Sequence, residues 1–222
     1  MKNAHQESSK RLSTDAIVSV IIFLPSLVFG LSIANVLSSI MTPVVGPIPS
    51  LPVLFAQEPF IKTTLLFLTF LLYAIPFYHG TTLAFAIHLL VGKGLKPAEP
   101  VFHFAFSLAE GTVFYAMSLQ MASLQTFVAW LAVLVSVDLL WVSISLKLRR
   151  KGLGLRRAEE AKPPLDWWLI LDIYGLIFPV YFFLHFQPTD VLTYFVLFLA
   201  SLFRTVVDYY TGWKFYFPCF GK

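Results

Sequence analysis

The sequence predicts an all-α, polytopic transmembrane helix bundle of about six spans with both termini cytosolic. Three observations carry that expectation. Apolar residues make up 58% of the 222 residues, charged residues only 13%, and the mean hydropathy is +0.77. A soluble chain carries roughly 25% charged residues, so the polar surface of a water-facing globule is missing. The apolar residues also fall in stretches of the length, about 20 residues, that crosses a bilayer core as a helix. Finally, the basic residues crowd into alternate segments between those stretches. Disorder is excluded by the 23 Phe and 17% aromatics, and a disulfide scaffold by the single cysteine.

In chain order the spans lie near 16–40, 63–91, 101–121, 124–146, 167–186 and 189–210. Residues 1–15 form a cytosolic tail, 16–213 the membrane domain and 214–222 a second cytosolic tail. Each span is expected to be helical, because lipid offers the backbone no hydrogen-bond partner. The first has a basic start and a small-residue pattern at Ser32-Ile33-Ala34. Its apolar run exceeds a typical signal-peptide core of about 7–15 residues, so it reads as an uncleaved helix. The second is long enough to require tilt, or a bend at Pro76, where the ring removes a helix hydrogen bond. Pro25 and Pro179 mark similar positions. Short connections make hairpins of the third and fourth spans and of the fifth and sixth. The loop 41–61 holds Pro43, Pro47, Pro49, Pro52 and Pro59 and reads as extended.

Orientation follows from the excess of Lys and Arg on the cytosolic side. With the N-terminus inside, Lys62 is the one residue of the 16 Lys and Arg on the outer side. The loop between the fourth and fifth spans alone carries Lys147, Arg149, Arg150, Lys151, Arg156, Arg157 and Lys162. Trp167, Trp168 and Trp213 then fall at the inner headgroup level, where amphipathic rings are favoured. The setting that results is a cytoplasmic (inner) membrane.

Ionisable side chains at membrane depth are the functional suspects, since each is expensive to place there. His79, Glu110, Asp138 and Asp172 lie on four successive spans, and Arg204 and Asp208 share the last. Four carboxylates and one arginine facing lipid unpaired would cost roughly 12–17 kcal/mol on insertion scales. They are therefore expected to face one another, a water-filled cavity or a partner subunit. Arg204 and Asp208, four apart on one helical face, read as an ion pair serving as a structural latch or gate. His79, Glu110, Asp138 and Asp172 read as a buried polar or permeation cluster, with Glu110 and Asp138 the hardest to explain structurally. His88, His103 and His185 stand near span boundaries and read as solvated or capping residues.

An acidic, proton-exchanging interior points first to an ion, proton or small-solute channel or transporter. A second reading is an intramembrane enzyme acting on lipid, with His79, Glu110 and Asp138 as acid–base groups or ligands. A third is a non-catalytic subunit or effector whose polar groups meet another membrane chain. No H-E-x-x-H pair, G-x-S-x-G turn or phosphate-binding loop occurs, so no metal or cofactor is expected. The expected partners are membrane lipid and a second copy or partner subunit. Nucleic acid is not among them, because topology accounts for the basic residues.

Overall fold

The computed structural model describes residues 23–24, 26–40, 57–91, 98–150, 164–185 and 190–217. These residues are almost all helical, with no strand among them. The helices are α1 (Ser26–Ile40), α2 (Glu58–Val91), α3 (Ala98–Ser118), α4 (Leu124–Arg150), α5 (Leu165–His185), α6 (Val191–Thr211) and the single turn α7 (Trp213–Tyr216). Four of them, α2, α4, α5 and α6, are long and apolar enough to cross a membrane. That is fewer than the six expected, for two reasons. The described part of the first span is too short, and its residues 16–22 and Pro25 lie outside the described residues. The 21-residue α3 has the length, but His103, Ser107, Glu110 and Thr112 dilute its apolar character.

The helix ends follow local chemistry. α2 begins at Glu58, within the stretch expected to be an extended loop. Pro59 fits there because the first turn needs no N–H. Lys62 is consequently inside the helix, 2.6 Å from Glu58 one turn earlier. Residues 41–56 of that loop lie outside the described residues. Ser123 caps α4, accepting from the Thr126 amide at 3.4 Å, and Asp190 caps α6, accepting from Leu192 at 3.2 Å.

Two helices turn polar side chains into the bundle. Along α6 the buried side chains are Thr193 and, from Tyr194 on, Leu197, Ser201, Arg204 and Asp208 at alternate spacings of three and four, so they form one stripe. Leu192, Phe195, Leu199, Phe203 and Val206 cover the opposite, exposed face. On α3 the same spacing buries His103, Ser107, Glu110, Phe114 and Met117. A polar stripe turned inward beneath an apolar exterior is the arrangement that lipid favours.

In the packing, α4 lies against α3 and α5, while α2 lies against α3 and α6. α5 meets α6, and α7 touches α2 and α6. α1 joins through Phe29 stacked on Tyr78 and through Asn35 bonded to Ser118. Two apolar cores result. One is built around Phe70, Phe127, Leu134 and Leu197, the other around Trp141, Leu165, Trp168 and Phe215.

Helix α2 runs unbroken through Pro76. The carbonyl that the ring deprives of a donor is that of Leu72, and Thr205 of α6 donates to it at 2.7 Å. A neighbouring hydroxyl thus replaces the lost bond, which is how membrane helices tolerate proline. Thr205→Val is expected to cost about 0.5–1.5 kcal/mol in reversible unfolding in mixed micelles. With Pro76→Ala, which restores the backbone donor, the same change is expected to cost less than half as much. Equal losses in the two backgrounds would contradict the replacement.

Candidate functional site

The charged residues lie at the border between the two cores on three helices. Asp138 stands between Val135 and Trp141 of α4, Asp172 between Leu171 and Leu176 of α5, and Arg204 between Leu197 and Val207 of α6. At its centre Arg204 Nη2 donates to Asp172 Oδ1 at 2.9 Å, with Arg204 only 3% exposed and Asp172 0%. The guanidinium lies over the rings of Tyr73 and Phe77, at 4.9 and 5.4 Å. Aromatic faces attract a cation most strongly where water is excluded. Gly175 makes room for this side chain: a Cβ there would lie 3.2 Å from Arg204 Nε.

The expected Arg204–Asp208 pair does not form. Both side chains share the buried stripe of α6, but the guanidinium turns across to α5 and takes Asp172. Asp208 is instead held by neutral donors, Trp168 Nε1 at 2.8 Å and the Tyr216 hydroxyl at 3.2 and 3.1 Å from its two oxygens. Tyr216 reaches it because the chain turns back at Gly212, where a Cβ would lie 2.7 Å from the tyrosine ring. Trp168 is accordingly buried in the bundle, whereas Trp167 and Trp213 are exposed.

A cavity of about 30 Å³ adjoins Arg204 and Asp208 and is lined also by Thr81, Asp138, Trp168 and Tyr216. It has room for one or two waters and for nothing much larger. Arg204 Nε and Nη1 and Asp172 Oδ2 are buried without a hydrogen-bond partner among the described residues. Buried groups of this kind are ordinarily met by ordered water. Glu110 does not line the cavity, but its carboxylate accepts from Thr81, which does, at 3.3 Å. Asp138 lies in hydrogen-bonding reach of Asp172 and within electrostatic reach of Glu110 and Arg204.

His79 stands apart from the cavity. Its Nδ1 is 3.4 Å from the Tyr209 hydroxyl, and its ring packs against Tyr216 and Phe217. The structure therefore brings Glu110, Asp138, Asp172, Arg204 and Asp208 together, while His79, outside the cavity lining, packs on Tyr209 and Tyr216 within electrostatic reach of Asp208. Of the boundary histidines, His103 is buried and accepts from Trp141 Nε1 at 2.9 Å, contrary to a solvated role. His185 is exposed and stacks on Tyr181. The His88 side chain lies outside the described residues. Among the described residues no three His, Cys, Asp or Glu gather as metal ligands.

Trp168, Tyr216, Thr81 and the two glycines were missed by sequence reasoning. Trp168 carries a usable signal, since it lies four residues before Asp172 and so on the same face of α5. Tyr216 carries none, because its placement depends on the reversal at Gly212.

The chain matches no protein-family model, no curated protein and no solved structure.

Removing one member of the Asp172–Arg204 pair strands the other in the interior, a loss of about 3–5 kcal/mol. Arg204→Leu and Asp172→Leu are each expected to lose that much stability in detergent, while the double variant recovers most of it. Strictly additive losses would show that the two side chains are not a coupled pair.

Proposed function

We propose that the chain is a six-span protein of the cytoplasmic membrane with both ends cytosolic, and that its buried cluster passes protons as the core of a channel or transporter. The observation that supports this most directly is the water-sized cavity ringed by Thr81, Asp138, Arg204, Asp208 and Tyr216. A space of that size admits water and excludes an organic solute. A proton needs only donors and acceptors in sequence.

The excess of acid gives the cluster its capacity. Four carboxyls share the interior with a single guanidinium, and Arg204 offsets Asp172, so the others must be neutralised by protons or by water dipoles. In this scheme Asp208 exchanges a proton with cavity water, and the water hands it to Asp138. Thr81 carries the relay on to Glu110 through the hydrogen bond between them. The fixed charge of Arg204 keeps bare cations from settling in the cavity. His79 and Tyr209 connect the opposite face of Tyr216 to the same set.

Purified protein in liposomes loaded with a pH-sensitive dye tests the scheme. Under a potassium diffusion potential the wild-type chain is expected to admit protons. Glu110→Gln and Asp138→Asn are each expected to slow the initial rate by about tenfold or more, since an amide cannot take up and release the relayed proton. Size-exclusion profiles and helical circular dichroism check that both variants fold. Unaltered flux in the two folded variants would remove the reading. A wild type that leaks no protons and elutes with a second membrane chain would favour the partner-subunit reading instead.

A further inference from the structure

A second hollow, far larger than the first, lies where α5 begins and α6 ends. It is a cleft of about 700 Å³ walled by Pro164, Trp167, Tyr210, Trp213, Lys214 and Phe215, with Thr211 and Gly212 at its back. Its volume falls in the range, about 300–1,000 Å³, of sites that hold one small molecule. Because it sits at the ends of two candidate spans, it belongs to the boundary of the membrane rather than to its middle. The three amphipathic rings that wall it are exposed, Tyr210 at 80%, which suits the headgroup level.

The charge of the cleft selects among possible occupants. Among the described residues that line it, Lys214 is the only charged one, and no carboxylate is present. A lysine against apolar and aromatic walls complements a ligand with one negative head and an adjoining hydrocarbon body. A headgroup carrying an ammonium would meet the lysine as a like charge.

We infer that this cleft is a binding site for one anionic phospholipid, its phosphate on Lys214 and the start of its acyl chains against Trp167, Tyr210 and Trp213. The site bears on the cavity through α7. That turn carries Trp213 and Lys214 on its exposed side and Phe215 and Tyr216 on its buried side. The lipid therefore braces the back of the turn whose front places the Tyr216 hydroxyl on Asp208. Binding of the lipid does not depend on proton passage, so each can fail without the other.

Native mass spectrometry of the purified chain, incubated with equal amounts of phosphatidylglycerol and phosphatidylcholine, tests the site. The expected result is about a fivefold excess of the phosphatidylglycerol adduct, the contribution of one lysine near a membrane surface. Lys214→Gln is expected to abolish the preference and Lys214→Glu to reverse it, while Lys147→Gln on α4 leaves it unchanged. A second measurement needs no variant: brominated phosphatidylglycerol should quench the tryptophan fluorescence more than brominated phosphatidylcholine at equal mole fraction. Equal adducts in the wild-type chain, or a preference that survives Lys214→Glu, would overturn the assignment.

Discussion

The structure depends on one ion pair, Arg204 with Asp172, made where water is excluded. Two opposite charges taken out of water recover their desolvation cost only when geometry and surroundings cooperate. The surroundings here are specific. Tyr73 and Phe77 present ring faces to the guanidinium, and Gly175 withholds a side chain so that it can pass. The pair ties α5 to α6, the two helices that also carry Trp168 and Asp208. It also sets the boundary between the two apolar cores, since the residues on either side of it along α4, α5 and α6 belong to different clusters.

The same economy governs the rest of the interior. Three polar groups of the interior are met by a side chain from another helix: the Leu72 carbonyl by Thr205, Glu110 by Thr81, His103 by Trp141. These contacts link α2 to α6 and α3, and α3 to α4, at points where apolar packing alone would leave rotation and register loose. Interhelical hydrogen bonds in membranes are individually modest, so their value lies in selecting one arrangement among several of similar packing quality. The outer surface needs no such selection, and α6 turns Leu192, Phe203 and Val206 outward without any polar contact.

The helical class was legible because length and apolarity are properties of single segments. The suspects were legible for a related reason: a carboxylate or arginine inside an apolar run stands out in any reading of the chain. Their pairing was not. Arg204 and Asp208 satisfy the four-residue rule, yet that rule describes an isolated helix, and in a bundle a carboxylate on the next helix competes. Asp172 wins because α5 brings it to the same depth as Arg204, a fact of packing with no local trace. Tyr216 was hidden differently. Its stretch reads as an aromatic anchor, and only the close approach permitted at Gly212 sends one ring inward while Trp213 stays outside. His103 looked solvated from its position near a span end, but Trp141 supplies the donor that lets it be buried.

The mismatch between the expected pair and the observed one has a consequence for chemistry. A carboxylate 2.9 Å from a buried guanidinium is committed to it, because any change of partner leaves a charge uncompensated in a medium that penalises it heavily. Had Arg204 taken Asp208, the acid beside the cavity would have been locked in that way. Asp208 is held instead by an indole N–H and a phenol, both neutral, and a change in its state strands no partner charge. Asp138 likewise borders the cavity without an ion pair among the described residues. The cluster thus contains one ion-paired acid, Asp172, and two acids, Asp138 and Asp208, that border water-sized space, with Asp138 in hydrogen-bonding reach of Asp172. Arg204 itself lines that space, so the ion pair stands directly beside the two acids that border it.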